Sequence, residues 1–447
     1  MRKPASIAIL AFVLLLPLFC FAASLSDLPP VAQQKIVAAV ASHSARHPQA
    51  HAWAQFAELT PSDSAKNDWF GISIAISGTT VVVGDFDPNI EQFGEVDVFV
   101  RPASGWSNMT QTARLTSSDS GQGFGTSVAI DGKIIVVGAA NTSNFNSPQQ
   151  AGPGAAYVFL KPAGGWAGNL TENAKLTASD GQDGDAFGNS VSISGNTIAV
   201  GAFFVSNFSG KAYVFVKPSV AGWSGNISQN AELSASDSNG ILDYFGSSIA
   251  VSGNTILVGS FGHNNFQGAG YIFVEPAGGW VNMTQTAELT ASNGQGGDQL
   301  GFSSAINGTT VAIGAPGGFG GYGVVYVFVE PPSGWITTSN FTAELGAPDA
   351  TQGDSFGQSV GVGANGIAIA VGAPSQTING NYGQGAAYAY VRPPNGWIST
   401  RVAYAEATAS DGAANDGMGV SIAIWGATVV AGAPKSNAPG AAYVFGQ

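Results

Sequence analysis

Hydrophobic and polar residues alternate with a period of two in a unit that recurs seven times along the chain. In the cleanest copy, residues 190–193 read SVSI and residues 197–200 read TIAV, with a glycine–asparagine pair at 195–196 between them. Alternation on both sides of a two-residue turn predicts a β-hairpin. A third alternating segment follows at 212–216, and a fourth reads AELS at 231–234. Each unit therefore predicts one four-stranded antiparallel sheet.

Two glycines mark fixed points in every unit. The first follows Phe in five copies and Leu300 or Met418 in the other two; the second lies 13 residues later, or 15 in the sixth copy. The first glycines are Gly71, Gly125, Gly188, Gly246, Gly301, Gly357 and Gly419, and the second are Gly84, Gly138, Gly201, Gly259, Gly314, Gly372 and Gly432. The first glycines of successive units are 54 to 63 residues apart. Four-stranded repeats of this length are typical of blades around an axis, whereas solenoid repeats are usually shorter. We therefore predict an all-β fold, a seven-bladed β-propeller of four-stranded antiparallel blades.

The two ends of the repeat region complement each other. The last copy stops after its third strand at 441–445, whereas residues 53–60 read WAQFAELT and carry the fourth-strand pattern. Pairing of these segments would close the ring and leave no long hydrophobic edge exposed. The sequence thus predicts a propeller over residues 53–447, closed by the N-terminal strand in the last blade.

Loop lengths distinguish the two faces of the predicted ring. The connections between second and third strands, and between the fourth strand and the next blade, carry nearly all the length variation and lie together on what we call the variable-loop face. Variable loops on a rigid scaffold commonly carry recognition. We predict as ligand-binding residues the aromatic side chains of these loops, His263, and three acids of one loop. They are Phe145, Phe203, Phe208, Phe261, His263, Phe266, Phe319, Tyr322, Tyr382, Asp180, Asp183 and Asp185.

A structural interpretation of the same residues stays open. The aspartates would then form Asx turns that cap the loops, and the aromatic rings would pack against neighbouring loops. His263 has no partner visible in the sequence.

The N-terminal segment has the pattern of a signal peptide. Arg2 and Lys3 precede an apolar run at 7–21, and small residues around Ala22 suit cleavage there. A transmembrane anchor needs a longer apolar run, and a lipid anchor on Cys20 is the other alternative. We predict a signal peptide at 1–22, export, and a location outside the cell or at its surface, with no membrane span in the mature chain.

Composition limits the stabilising forces and partners of the mature chain. Cleavage would remove the single cysteine and bring the net charge from −13 to −15, so no disulfide is available and nucleic acid is excluded as a partner. Residues 23–52 are predicted to form a helical or linker segment. A monomer is expected.

Enzyme signatures are poor. Residues 353–357 match the nucleophile-elbow pattern around Ser355, but that motif needs a strand before it and a helix after it. His43, His47 and His51 have helical spacing, yet Pro48 interrupts the helix. We therefore predict no catalytic residues, no metal site and no required cofactor.

The motif itself resembles a known family. Phe-Gly at the first glycine, together with IGAP at 313–316 and VGAP at 371–374, resembles the FG-GAP repeats of integrin α-chain propellers and related bacterial exported proteins. The resemblance covers residues 53–447 and implies an extracellular adhesion or ligand-binding propeller. Integrin calcium loops lie between Phe-Gly and Gly-Ala-Pro, where this chain has only a short turn, so calcium is not carried over. The acids at 180–185 lack the spacing of a calcium loop, although calcium there stays an open alternative.

Three functions follow from these observations. The first is a secreted or cell-surface binding or adhesion module that recognises a glycan, protein or peptide. The alternatives are an extracellular polysaccharide hydrolase or lyase that uses loop carboxylates as acid and base, and a purely structural envelope protein.

Overall fold

The structure is a computed structural model that describes residues 51–63, 69–86, 94–119, 121–140, 152–238, 240, 242–434 and 440–446. The predicted signal peptide, most of the predicted linker, Phe145 and the side chain of His51 lie outside the described residues. The fold is all-β, as predicted, and its strands form seven sheets. In chain order the strands are β1 (His51–Ala52), β2 (Ala54–Thr60), β3 (Ser73–Ser77), β4 (Thr80–Asp85), β5 (Glu95–Val100), β6 (Met109–Thr110), β7 (Ala113–Thr116), β8 (Phe124–Asp131), β9 (Ile134–Ala139), β10 (Ala155–Leu160), β11 (Gly168–Thr171), β12 (Ala174–Thr177), β13 (Ser190–Ser194), β14 (Thr197–Ala202), β15 (Lys211–Val216), β16 (Gly225–Ser228), β17 (Ala231–Ser234), β18 (Phe245–Ser252), β19 (Thr255–Ser260), β20 (Ala269–Val274), β21 (Met283–Thr284), β22 (Ala287–Leu289), β23 (Ser303–Asn307), β24 (Thr310–Ala315), β25 (Val324–Val329), β26 (Ala343–Leu345), β27 (Ser359–Gly363), β28 (Ala368–Ala373), β29 (Ala386–Val391), β30 (Ala405–Ala407), β31 (Ser421–Trp425), β32 (Thr428–Ala433) and β33 (Ala441–Gly446).

Each sheet is one blade with four antiparallel strands in up-and-down order. The blades are, from first to seventh, β3-β4-β5-β7, β8-β9-β10-β12, β13-β14-β15-β17, β18-β19-β20-β22, β23-β24-β25-β26, β27-β28-β29-β30 and β31-β32-β33-β2. Three single helical turns, α1 (Val205–Phe208), α2 (His263–Phe266) and α3 (Gly318–Gly321), lie between the second and third strands of blades 3, 4 and 5, and a 3-10 turn spans Ala364–Gly366.

The predicted closure is confirmed. Strand β2 runs antiparallel to β33, with Glu58 opposite Tyr443 and Leu59 opposite Ala442. The innermost strand of every blade contacts the innermost strands of both neighbours, including β31 against β3 across the closure. The seven blades therefore form one ring.

A circle of seven hydrogen bonds explains why the repeat keeps its serine and its first glycine. In each blade a serine at or near the start of the innermost strand donates from Oγ to the carbonyl oxygen of the first glycine in the next blade, at 2.6 to 2.8 Å. The bond from Ser421 to Gly71 closes the circle. All seven first glycines have φ between +88° and +98°, a region that residues with a Cβ rarely adopt.

The second glycine of each repeat provides the room for this bond. A Cβ placed on any of the seven second glycines would lie 2.0 to 2.3 Å from the carbonyl oxygen of the next blade's first glycine, and 2.2 to 2.5 Å from the serine Oγ. Any side chain there would push the two blades apart. Both glycines of the motif are thus required by the contact between blades.

A short fifth strand adds to the predicted four-stranded blade in five of the seven sheets. In five sheets a short strand pairs in parallel with the outer strand, namely β6 on β2, β11 on β7, β16 on β12, β21 on β17 and β1 on β30. Except for β1, each belongs to the third-to-fourth connection of the following blade. The added strands cover outer edges that would otherwise be free to pair with other chains. Strand β1 lies within the segment assigned from sequence to the linker.

The hydrophobic core lies between neighbouring blades. At the junction of blades 2 and 3, Phe187 packs its ring edge-on against Tyr213 and Phe215, and Trp223 is 1% exposed. Burial of one such large side chain contributes roughly 1.5–3 kcal/mol. Equivalent clusters recur around the ring and hold the blades together without a disulfide.

Candidate functional site

The loops of the variable-loop face are tied to one another across blade boundaries. The amide of Tyr244 donates to the carbonyl of Phe208 at 2.7 Å, and the amide of Gln299 donates to the carbonyl of Phe266 at 2.8 Å. The amide of Asn415 donates in the same way to Tyr382, at 2.9 Å. In these three blades the second-to-third loop is therefore held by the loop that leads into the next blade, which fixes this part of the surface before any ligand arrives.

Four of the predicted aromatic residues come together in one cluster. Phe203 and Phe208 of blade 3 and Phe261 and Phe266 of blade 4 each have their rings within 6.2 Å of the ring of Tyr244. Tyr244 stacks on Phe261 with a centroid distance of 4.7 Å and an interplanar angle of 12°. We call this group, together with Phe204 and Phe302 at its ends, the aromatic cluster.

Sequence reasoning missed Tyr244 as the centre of the aromatic cluster. Its φ is +55°, which is uncommon for a bulky residue. Tyr244 occupies the repeat position of Ala186 and Ser355, which also have positive φ. The available signal was an aromatic residue immediately before Phe245, at a position where four of the other six copies carry glycine, alanine or serine.

The remaining described aromatic predictions are exposed on the same face in blades 5 and 6. Phe319 is 57% exposed, Tyr322 38% and Tyr382 68%. The Arg401 guanidinium lies 4.3 Å from the Phe319 ring centroid, within range of a cation–π contact. The Phe319 and Tyr322 rings meet edge to face at 6.5 Å. Phe208 of the aromatic cluster is also exposed, at 38%, and we call these four side chains the exposed aromatic group of the variable-loop face.

The three predicted acids have separate environments. Asp180 accepts from Lys211 Nζ at 2.6 Å and from the Tyr213 hydroxyl at 3.0 Å. Burial alone would raise the pKa of Asp180, but these partners outweigh it and hold the pKa below its usual value. Asp183 is exposed, whereas Asp185 is buried and accepts from the Gln182 amide at 2.7 Å. Burial raises the pKa of Asp185. Two of the three acids thus have structural contacts, Asp185 with a backbone amide of its own loop and Asp180 with side chains of strand β15.

One trio of potential metal ligands occurs among the described residues. Asp237, His263 and Glu288 place one ligand atom each within 4.8 Å of the others, whereas Asp180, Asp183 and Asp185 form no such group. His263 therefore has partners that the sequence did not reveal, because they come from a different loop and a different strand. Asp237 lies in the loop that leads from blade 3 to blade 4, and Glu288 lies in the outer strand β22 of blade 4.

The nucleophile-elbow match at Ser355 belongs to the repeat. Its φ of +60° recurs at Ala186 and Gln299, which occupy the same position in other copies. The Ser355 hydroxyl lies 3.4 Å from that of Ser375. The resemblance to an elbow follows from the turn that leads into every blade.

A closed ring of seven antiparallel blades with ordered loops on one face defines a seven-bladed β-propeller. The chain belongs to the FG-GAP repeat family, which matches residues 53–96, 109–159, 170–215, 227–273, 283–328, 340–390 and 403–445. Comparison with curated proteins gives no match. Within the described part of the chain, no helix has the length and apolar character needed to cross a bilayer.

Proposed function

We propose that this chain is an extracellular binding module that recognises a glycan, protein or peptide through the variable-loop face. The observation that carries the proposal is the exposed aromatic group, whose four side chains lie on second-to-third loops of blades 3, 5 and 6. Exposed aromatic side chains are the residues that most often anchor a partner and dominate its binding energy. The hydrogen bonds between loops support this role because they reduce the entropy lost on binding.

Charge narrows the class of ligand. The chain has a net charge of −13, so long-range electrostatics disfavours strongly acidic polymers. We therefore propose a neutral or basic ligand, whose apolar faces would pack on Phe319, Tyr322 and Tyr382. Export through the segment at 1–22 is part of the same proposal, and N-terminal sequencing of the secreted protein would test it.

We further propose that the protein binds without catalysing a reaction. A glycoside hydrolase needs two carboxyl groups placed on either side of one bond. The Asp180 carboxylate is instead engaged by Lys211 and Tyr213, and Asp185 is buried. These contacts favour a binding role over the hydrolase or lyase alternative.

The test is a glycan and matrix-protein array probed with the full mature chain. For a hit, we expect alanine at Phe319, Tyr322 and Tyr382 together to weaken binding by about 30-fold or more, the effect of losing one hot spot worth ~2 kcal/mol. The matched control is Trp425→Ala, an aromatic residue 38% exposed beside the β31–β32 turn on the opposite face. If the triple variant binds as tightly as the parent chain while Trp425→Ala loses binding, the site lies on the face opposite the variable-loop face, and the proposal is wrong. Turnover of a polysaccharide would support the enzyme alternative instead.

A further inference from the structure

The repeat contains a position where a cation lies between carboxylates of neighbouring blades. In blade 3, Lys211 Nζ lies 2.6 Å from Asp180 and 2.9 Å from Glu232. In blade 2 the cation comes from the outer strand instead: Lys175, at the position of Glu232, pairs with Asp119, the repeat equivalent of Asp180. In blade 1, Arg114 pairs with three acids, which are Asp63, Glu95 and Asp97. The geometry of the blades therefore creates an acidic position that is filled by a positive side chain.

Blade 4 has the acids but lacks the lysine. The strand register places Ala269 where blade 3 has Lys211, since Ala269 pairs with Ser260 as Lys211 pairs with Ala202. The carboxylates are those of Asp237 and Glu288, and the α2 turn brings the His263 imidazole between them.

The surroundings of His263 orient its ring. Nε2 lies 3.7 Å from Asp237, while Nδ1 is buried and lies 3.5 Å from the carboxylate of Asp243. Asp243 is 1% exposed and also accepts from the Ser238 hydroxyl at 2.6 Å. A carboxylate behind one imidazole nitrogen, with the other nitrogen facing further ligands, is the usual outer shell of a metal-binding histidine.

A buried hydroxyl points to the same place. Tyr213 and Tyr388 donate to the aspartate that precedes their blade, at 3.0 and 2.8 Å. The equivalent Tyr271 is fully buried, and its hydroxyl has no partner of hydrogen-bond geometry among the described residues, although Asp237 is near enough to help raise its pKa. In blade 4 the tyrosine hydroxyl therefore lies near the aspartate without the hydrogen-bond geometry that Tyr213 and Tyr388 have, and the same aspartate lies 3.7 Å from His263 Nε2.

We propose that Asp237, His263 and Glu288 bind a divalent transition-metal ion of the zinc class at the place where blade 3 carries Lys211. The ligands are one imidazole nitrogen and two carboxylate oxygens, a set that suits zinc and disfavours calcium. Metal–ligand bonds of about 2.1 Å in a tetrahedral site separate the ligand atoms by ~3.4 Å. The 3.7 Å between Asp237 and His263 is close to this value. The ion ties blade 3 to blade 4 beside Phe261 and Phe266 of the aromatic cluster.

The experiment uses the full mature chain with His43, His47 and His51 replaced by alanine, so that His263 is its only histidine. Zinc chloride is titrated calorimetrically at pH 7.5 into this chain and into the same chain with His263→Ala. We expect one zinc ion per chain in the first and at least tenfold weaker binding in the second, with no heat from calcium. Zinc at 100 times its dissociation constant should raise Tm by about 3 °C in a propeller of this size.

Two further variants separate metal binding from folding. Glu288→Gln should keep the native circular dichroism spectrum and lose zinc affinity. Ala269→Lys combined with His263→Ala should restore the stability of blade 4 without any response to zinc, because it recreates the ion pairs of Lys211. Absence of heat in the single-histidine chain, or equal heat after His263→Ala, would overturn the proposal. None of these readouts depends on the ligand of the variable-loop face.

Discussion

Closure of the ring by strand β2 leads to a quantitative prediction for Leu59. Its side chain is fully buried in strand β2, in a cluster formed with residues of blades 7 and 1. Leu→Ala in a buried site costs about 2–5 kcal/mol. Leu233 is the repeat equivalent in blade 3, and it is also fully buried. Its strand follows the other three strands of blade 3 along the chain, whereas β2 comes from the opposite end of the chain to the rest of blade 7. We expect Leu59→Ala and Leu233→Ala to destabilise the protein equally, within about 1 kcal/mol, if β2 is a full member of the ring.

The assay is thermal unfolding of both variants beside the parent chain. Unfolding entropy of about 2.1 cal/mol/K per residue gives ~0.8 kcal/mol/K for the propeller, so the expected loss corresponds to a fall in Tm of roughly 3–6 °C. Urea unfolding should show the same loss with an unchanged slope. A loss below about 0.5 kcal/mol for Leu59→Ala, with 2 kcal/mol or more for Leu233→Ala, would refute closure by β2.

Further predictions concern the repeat motif and the charged position between blades. Gly432→Ala should cost about 1–3 kcal/mol, because its Cβ would lie 2.0 Å from the carbonyl oxygen of blade 1's first glycine, whereas Gly164→Ala, which meets nothing within 4 Å, should leave Tm nearly unchanged. Burial and a neighbouring aspartate raise the pKa of Glu406 above 4.5, so its charge opposes folding above that pKa. Glu406→Gln should therefore raise Tm at pH 7, with the gain disappearing as the pH falls to about 4.5. Glu232→Gln should lower Tm at pH 7 because it removes an ion pair with Lys211. A fall in Tm for Glu406→Gln, a rise for Glu232→Gln, or a Glu406→Gln effect that is the same at pH 7 and pH 4.5 would contradict the assigned charges.

Much of the fold was predictable because its information is local and repeated. The period-two pattern at 190–200 and its six relatives specify hairpins, and the fourth-strand pattern at 53–60 identifies the partner of the incomplete last blade. The added parallel strands were not predictable in the same way. Strand β6 has only two residues, Met109 and Thr110, and so carries no period.

The candidate site was predictable only in outline. The choice of face, and the aromatic residues Phe319, Tyr322 and Tyr382, followed from loop length and residue type. The actual partners of Asp180 and His263 did not, since Lys211 and Glu288 reach them from other elements. The sequence of a loop does not show which strand packs against that loop in the folded protein.

The sequence by itself determined the number of blades, their order and the closure, because alternation and glycine spacing express backbone conformation that each residue imposes locally. Only the tertiary structure decided which charges meet and which rings form the aromatic cluster. These contacts arise between blades, where the ring brings together side chains such as Asp237 and His263 that lie in different loops. The seven hydrogen bonds between serine and glycine link local sequence to tertiary structure. In each of them a glycine with positive φ, which is a local feature, accepts a contact from the neighbouring blade.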